Sequence, residues 1–119
     1  MQDFTNLLVW QKAHTCTIAI YQVTKHFPSE EKFGLISQIR RASISIESNL
    51  AEGCGRNSDR EFARFVSIAQ GSAFEVRCQL ILARDLDYIS REIFQSLQQQ
   101  ILEINPMLNA LYQKLKANS

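Results

Sequence analysis

The chain has few of the residues that break helices or form tight turns. Its 119 residues include four glycines and two prolines. An all-β domain needs many turns, and turns draw heavily on these two residues, so their scarcity argues against an all-β fold. Apolar residues make up 45% and charged residues 21%, which is the composition of a globular domain rather than of a disordered segment. We expect a single domain over residues 1–119, because this length supports one core.

An excess of charge of one sign is also missing. Thirteen Lys and Arg residues stand against twelve Asp and Glu residues, which gives a formal net charge of +1. The chain has no basic tail and no acidic run, so a monomer would not attract nucleic acid or a membrane through its overall charge. A local patch, or a patch formed by assembly, stays open.

Long apolar runs and paired cysteines are absent. No apolar run approaches the ~20 residues that cross a bilayer, and the opening residues lack the basic flank and apolar stretch of a signal peptide. The three cysteines, Cys16, Cys54 and Cys78, are odd in number and widely spaced. We therefore expect a cytoplasmic protein with reduced thiols and no membrane partner.

The ligand patterns of metal sites are missing too. Di-iron bundles use Glu-x-x-His pairs, but His14 and His26 follow Gln11 and Val23 at that spacing. The cysteines form no C-x-x-C pair of the kind that binds zinc. We expect no metal and no cofactor, and we expect His14, which shares a helix face with Trp10, to have a hydrogen-bonded packing role.

The glycine-rich segment 53–58 is the best place to look for catalysis or phosphate binding. It follows a predicted helix rather than a strand and lacks the lysine of a P-loop, so nucleotide-binding fingerprints do not apply. Cys54 has no evident general base beside it, although Cys54 and the Glu47/Glu52 pair remain the residual catalytic candidates. The favoured interpretation is a helix C-cap followed by an N-cap, with anion binding near Arg56 as the alternative. We expect no enzymatic activity.

Helical periodicity is abundant. At about 100° per residue, apolar side chains fall on one face in each of four segments. In the first segment, this face is formed by Leu7, Trp10, Ile18 and Tyr21. This helix is predicted to end before Phe27, because Pro28 follows. Ser29 is a candidate N-cap for the second helix, with Glu30 and Glu31 in the first turn.

The other three segments have clearer boundaries. Residues 53–55 stop the second helix, Ser58 and Glu61 have the spacing of a capping box before the third, and Ser90 is a candidate cap for the fourth. The second stripe is Leu35, Ile39, Ala42, Ile46 and Leu50. The third is Phe62, Phe65, Val66, Ala69, Ala73, Val76 and Leu80. The fourth is Ile93, Leu97, Ile101, Ile104, Leu108, Leu111 and Leu115. Four long helices with short connections predict an all-α fold, an antiparallel up-down-up-down four-helix bundle.

Two helices carry apolar residues away from these stripes. They are Ile36, Ile44, Phe74, Cys78 and Ile81. Either the central helices are buried on more than one side within one bundle, or these residues form an interface between subunits. Composition leaves both interpretations open.

The basic residues of the middle of the chain form the one notable concentration of positive charge. They are Arg40, Arg41, Arg56, Arg60 and Arg64, with the first two expected on the outer side of the second helix. Acidic residues lie nearby, so a solvated face with ion pairs is the default interpretation. A surface that contacts phosphates is the alternative.

Several stretches resemble a known family. They are L-V-W-Q-K-A at 8–13, I-R-R-A-S-I-S-I-E-S-N-L-A-E-G at 39–53, R-E-F at 60–62, Phe65, and I-A-Q-G-S at 68–72. The chain is similar over about residues 5–115 to the four-helix-bundle proteins encoded within intervening sequences of bacterial 23S ribosomal RNA genes, also called S23 ribosomal proteins. This resemblance implies a left-handed bundle, a ring-shaped homopentamer and no known enzymatic activity or cofactor.

The resemblance also orders the functional hypotheses. Five copies of the arginine group around one axis would create a field that a single chain lacks. We expect a non-enzymatic oligomeric binding protein whose ligand is structured RNA or another nucleic acid. The alternative is a ring-shaped scaffold that docks a partner protein such as a reverse-transcriptase-like enzyme, because the related accessory protein of diversity-generating retroelements binds such an enzyme and nucleic acid.

Overall fold

The computed structural model describes residues 3–119, and these form four α-helices. The helices are α1 (Leu8–Thr24), α2 (Leu35–Cys54), α3 (Asp59–Asp85) and α4 (Arg91–Ala117), with short 3-10 turns at Phe4–Asn6 and Ser29–Glu31. Each helix packs against its neighbours in chain order and α4 closes against α1, within an envelope of 45 × 23 × 20 Å. The predicted all-α class and up-down-up-down order are confirmed, and the left-handed twist stays a prediction.

Three of the predicted helix ends are confirmed at the level of atoms. Ser58 Oγ accepts a hydrogen bond from the N–H of Glu61, and Ser90 Oγ accepts one from the N–H of Ile93, each at 3.2 Å. The α2 helix ends at Cys54, and its C-cap is Gly55. These short-range signals work because a cap needs only residues within one turn of the helix end.

The core is formed by the apolar stripes of the four helices. Buried residues of α2, α3 and α4 follow the predicted stripes closely, as in Ile39, Ile46, Val66, Val76 and Ile104. Two members depart from prediction in degree, since Leu111 and Phe65 are only half-buried. Ile93 is a clearer error: it is 40% exposed, and its neighbour Phe94 is buried in its place.

The predicted buried face of α1 is wrong. The side chains that α1 buries are Val9, Ala13, Cys16, Thr17, Ile20 and Thr24. Ile18, which was expected to be in the core, is 46% exposed, and Trp10 and Tyr21 are half-buried at the edge. Ile20 is fully buried, but four of these six residues are Ala, Cys or Thr, so large apolar residues alone do not identify this face.

The predicted start of α2 is wrong as well. Ser29 lies in a 3-10 turn, and α2 begins only at Leu35, after Gly34. The capping group is Glu31, whose Oε1 accepts a hydrogen bond from the N–H of Leu35 at 3.0 Å. Glu31 Oε2 also accepts one from the hydroxyl of Tyr88 at 2.7 Å, which ties the start of α2 to the loop after α3.

The contact between α2 and α3 includes one side-chain hydrogen bond, from Ser72 to Ser45, and a close approach of the helices at Gly53. Ser72 Oγ donates to Ser45 Oγ at 2.8 Å, and Asn49 Nδ2 donates to the carbonyl and the hydroxyl of Ser45 at 2.8 and 3.0 Å. Near the end of α2, a Cβ added to Gly53 would lie 2.8 Å from ring and Cβ atoms of two phenylalanines of α3. Close approach of the two backbones therefore requires glycine at this position.

Candidate functional site

Arg40 belongs to the contact between α1 and α2. Its Nε donates to Thr24 Oγ1 at 2.8 Å, its Nη2 donates to the carbonyl of Tyr21 at 3.2 Å, and its guanidinium lies 4.4 Å from the centre of the Tyr21 ring. The side chain is half-buried. Its expected position on the outer side of α2 is therefore wrong, because its helix face points at α1.

Arg41, one residue later, is exposed and lines an open groove between α2 and α3. Glu75 and the Ser45–Ser72 pair line the same groove. Along α2, Arg41 lies about 20 Å from Arg56, which follows the other end of the helix, at about 1.5 Å of rise per residue. The five predicted arginines are thus not brought together as one cluster.

Arg56, Arg60 and Arg64 do lie at a common end of the bundle. Arg56 forms an exposed ion pair with Glu52 at 3.0 Å, and its guanidinium lies 4.7 Å from the centre of the Phe65 ring. Arg60 and Arg64 are exposed on the first two turns of α3. Among residues 3–119, neither of these two forms an ion pair or a side-chain hydrogen bond. We call Arg56, Arg60 and Arg64 the arginine end.

The structure adds a lysine that sequence reasoning missed. A cleft of about 530 Å³ at this end is lined by the α2–α3 connection, including Arg56, and by the last turns of α4, including Lys114. Lys114 is exposed and distant in sequence from the arginines. The antiparallel order was the available signal, since it places the end of α4 beside the end of α2. The acidic Asp59 lines the same cleft, so the positive charge there is only partial.

The five predicted interface residues divide into two groups. Ile36 and Ile81 are half-buried and pack against the core of their own chain. Ile44 and Phe74 are 38% and 58% exposed, and Cys78 is exposed as well. Each of the two interpretations therefore describes part of the set, and a role in a subunit interface stays a prediction.

The exposed face of α3 is more apolar than the prediction allowed. Phe74, Cys78 and Leu82 follow one another at intervals of four residues, and Leu82 is 47% exposed. Helical spacing places Gly71 on the same face, where it too is exposed. We call Gly71, Phe74, Cys78 and Leu82 the outer face of α3. The sequence pattern did not predict Leu82, because the i, i+4, i+7 spacing of Phe74 and Cys78 continues to Ile81 instead.

The residual catalytic candidates are held in other contacts. Glu47 accepts a hydrogen bond from His14 Nδ1 at 2.8 Å, and the His14 ring stacks on Trp10 with 4.8 Å between centroids. This confirms the predicted packing role of His14. Burial raises the pKa of the Cys54 thiol and that of Cys16 to about 12. A thiolate is therefore disfavoured at both positions.

Within residues 3–119, no group of three or more His, Cys, Asp or Glu side chains is arranged to hold a metal ion. Over the same residues, none of the helices combines the length and the apolar character needed to cross a membrane.

Comparison with known proteins agrees with the fold and the motifs. Residues 5–110 match the family described as 23S rRNA-intervening sequence protein. A crystal structure of a protein of unknown function from the S23 ribosomal protein family of Bacteroides thetaiotaomicron is similar, with a TM-score of 0.79 and 27% sequence identity. The match covers 88% of this chain and 98% of that one. No curated protein sequence matches this chain. The chain belongs to the 23S rRNA-intervening sequence protein family.

Proposed function

We propose that this protein is a non-enzymatic, oligomeric, cytoplasmic binding protein that contacts structured RNA or another nucleic acid through the arginine end. One observation carries the proposal: Arg60 and Arg64 are exposed and have no polar partner among residues 3–119. An arginine without a partner keeps all its donors available for phosphate oxygens. The two residues are also one turn apart, so both guanidinium groups can reach the same strand.

The surroundings of these two arginines favour a phosphate ligand. They lie in the first turns of α3, where the helix dipole adds positive potential. Arg56 adds a third cation, and its ion pair with Glu52 is exposed, with side chains 42% and 59% accessible. Exposed pairs contribute little free energy, so a phosphate can replace the carboxylate at small cost. Of the five predicted arginines, Arg40 is the least available, because α1 already holds it.

Oligomerisation would strengthen this end. The charge of one chain is only +1, and Asp59 and Glu61 lie beside the arginines. Several copies of the arginine end around one axis would add their fields. The outer face of α3 is a candidate for the contact between copies, because Phe74 and Leu82 expose apolar surface that water disfavours.

The test is binding of a structured RNA across a salt series. We expect affinity to fall as salt rises, and Arg60→Gln/Arg64→Gln to lower the slope of log K against log salt by about 1.5 to 2 per chain. The matched control is Lys25→Gln/Arg91→Gln, which removes the same charge from exposed positions at the other end of the bundle. Equal losses in both double variants, or no binding at low salt, would refute the proposal.

A protein-docking scaffold is the second candidate, and the outer face of α3 is the observation that favours it. A partner held on Phe74, Cys78 and Leu82 would bind through apolar contact, which depends weakly on salt. Phe74→Glu would then abolish partner binding and leave the RNA affinity of the monomer unchanged. Arg60→Gln/Arg64→Gln would instead lower RNA affinity and leave partner binding unchanged.

A further inference from the structure

The cleft of about 530 Å³ beside the arginine end combines an apolar floor with a polar rim. Leu111 is a half-buried apolar wall, and Phe62 and Leu115 form the floor, with 8% and 7% of their surface exposed. A concave, partly apolar site with a few convergent polar groups is the usual form of a small-ligand site. The rim is formed by exposed polar residues of two distant segments, Arg56, Asn57, Ser58, Asp59, Lys114 and Asn118.

Four polar side chains of this rim can bind a ligand without giving up another contact. Within residues 3–119, the side chains of Asn57, Asp59, Lys114 and Asn118 make no hydrogen bond and no ion pair. All four are exposed, so a ligand in the cleft can reach their polar atoms. An amide side chain both donates and accepts, an ammonium group donates and a carboxylate accepts, so the rim offers both kinds of hydrogen-bonding group.

The carboxylate of Asp59 distinguishes this cleft from a simple phosphate site. Arg56 and Lys114 attract phosphate, whereas Asp59 on the same rim repels it. A ligand that satisfies all three carries an anionic group for the cations and hydrogen-bond donors for the carboxylate. A nucleotide has this combination. Guanine matches best among the four RNA bases, because it alone places two donors, N1–H and N2–H, side by side on its Watson–Crick edge.

We propose that the cleft binds an unpaired guanine nucleotide of the RNA, with Asp59 accepting hydrogen bonds from N1–H and N2–H of the base. Arg56 and Lys114 then pair with the flanking phosphates, and the base packs against Leu111. The inference rests on the proposed function, because the cleft borders the arginine end through Arg56. Sequence-specific recognition of RNA uses unpaired bases, whose Watson–Crick edges are open to the protein.

Nuclear magnetic resonance titration of the full chain with mononucleotides tests the cleft without RNA. The probes are 5′-GMP, 5′-IMP, which lacks the N2 amino group, and 5′-AMP, which lacks both of these donors. We expect 5′-GMP to bind with a Kd in the millimolar range, which is usual for a small ligand. It should shift the side-chain amide signals of Asn57 and Asn118 and the methyl signals of Leu111. Binding of 5′-IMP should be about five-fold weaker, because one hydrogen bond is lost.

Three variants separate the Asp59 carboxylate from the charge of the chain and from the other arginines. Asp59→Asn should lose most of the preference for 5′-GMP over 5′-IMP, because an amide accepts hydrogen bonds at only one of its two polar atoms. Asp87→Asn removes the same charge from an exposed position at the other end of the bundle and should keep the preference. Arg60→Gln/Arg64→Gln should keep it too, since the described lining of the cleft contains neither arginine.

RNA hairpins with one bulged nucleotide connect the cleft to the RNA. A bulged guanine should give about five-fold tighter binding than a bulged adenine in the same hairpin, and Asp59→Asn should remove this difference. Equal binding of 5′-GMP and 5′-AMP, or no shift at Leu111, would overturn the proposal.

The hairpins also separate this proposal from its neighbours. A preference for 5′-GMP without any preference between the hairpins would assign the cleft to a free nucleotide and would overturn the reading of RNA. If neither hairpin binds at low salt, the proposed function itself fails. Hairpin binding that depends on salt and on Arg60 and Arg64 but not on the bulged base would leave the proposed function standing and refute this inference alone.

Discussion

Two helical glycines of this bundle, Gly53 near the end of α2 and Gly71 in the middle of α3, have opposite surroundings. A Cβ at Gly53 would lie 2.8 Å from Phe62 Cδ1 and from Phe65 Cβ, whereas a Cβ at Gly71 would meet no atom of residues 3–119 within 4 Å. Glycine within a helix costs roughly 0.5–1 kcal/mol relative to alanine. Packing within the chain explains why Gly53 is worth this cost, but it gives no reason for Gly71.

The residues that carry the family resemblance also divide into those that packing within the chain explains and those that it does not. In the motif at 39–53, Arg40 contacts α1, Asn49 donates to Ser45, which accepts a hydrogen bond from α3, and Gly53 allows α3 to approach closely. These residues maintain the bundle, so the motif identifies the fold and says little about a ligand. Residues that the single chain does not explain lie on α3, at the arginine end and on the outer face.

The largest effect on stability should come from adding a methyl group at Gly53. We expect Gly53→Ala to lower the free energy of unfolding by about 2 kcal/mol, because overpacking costs about 1–3 kcal/mol and exceeds the gain in helix propensity. Thermal unfolding should show a decrease in Tm of about 8 °C. An unchanged or higher Tm would show that α2 and α3 can separate without cost, and the contrast between the two glycines would disappear.

The adjacent arginines of α2 offer the same contrast in charge. Arg40→Gln should lower stability by about 1 kcal/mol, because the guanidinium hydrogen bonds to Thr24 and Tyr21 are lost from a half-buried site. Arg41→Gln removes the same charge from an exposed position and should change stability by less than about 0.5 kcal/mol. Urea unfolding of both variants measures the difference, and equal values would contradict the assignment of Arg40 to packing.

Gly34 is intermediate between the crowded Gly53 and the open Gly71, because a Cβ added there would meet a flexible carboxylate. That atom would lie 2.6 Å from Glu31 Oε1, the group that caps α2. We expect Gly34→Ala to displace the carboxylate and to lower Tm by about 4 °C at pH 6.

This variant should also have a pH signature. Hydrogen bonds from Leu35 N–H and from the Tyr88 hydroxyl lower the pKa of Glu31 in the folded chain. A lowered folded pKa contributes stability above the unfolded value, near 4.3, and this contribution is lost as pH falls through the folded pKa. The difference in Tm between the native chain and Gly34→Ala should therefore narrow below about pH 4. A constant difference from pH 6 to pH 3 would exclude Glu31 as the cause.

Sequence patterns correctly predicted features that depend on residues within a turn or two of each other. They did not predict contacts between segments that are distant in the sequence. The stripes of α2 and α3 and the caps Ser58 and Ser90 follow from local spacing. The buried face of α1 did not follow from spacing, because most of its residues are Ala, Cys or Thr. The arginines were grouped by position in the sequence, but α2 itself separates Arg41 from Arg56 by about 20 Å. Lys114 joins Arg56 only through the packing of α4.

Gly71→Ala is the smallest change and the one that decides whether the outer face of α3 is covered. In a dilute, dissociated chain the variant should gain about 0.5 kcal/mol from helix propensity, since no atom of the described part of the chain lies within 4 Å of the added carbon. If another copy packs against this face, as we propose, the same methyl group should weaken the assembly, and light scattering should show dissociation at a higher protein concentration than for the native chain.

Ser96→Ala is the control for this last comparison, because it raises helix propensity at an exposed position of α4, away from the outer face of α3. It should raise Tm and leave the mass of the assembly unchanged. If Gly71→Ala behaves in the same way as this control, no other molecule contacts α3 at Gly71. The subunit contact must then lie elsewhere, and the apolar residues Phe74 and Leu82 become available to a partner protein, as the scaffold hypothesis requires. If only Gly71→Ala weakens the assembly, the contact with another copy of the chain accounts for the glycine at position 71.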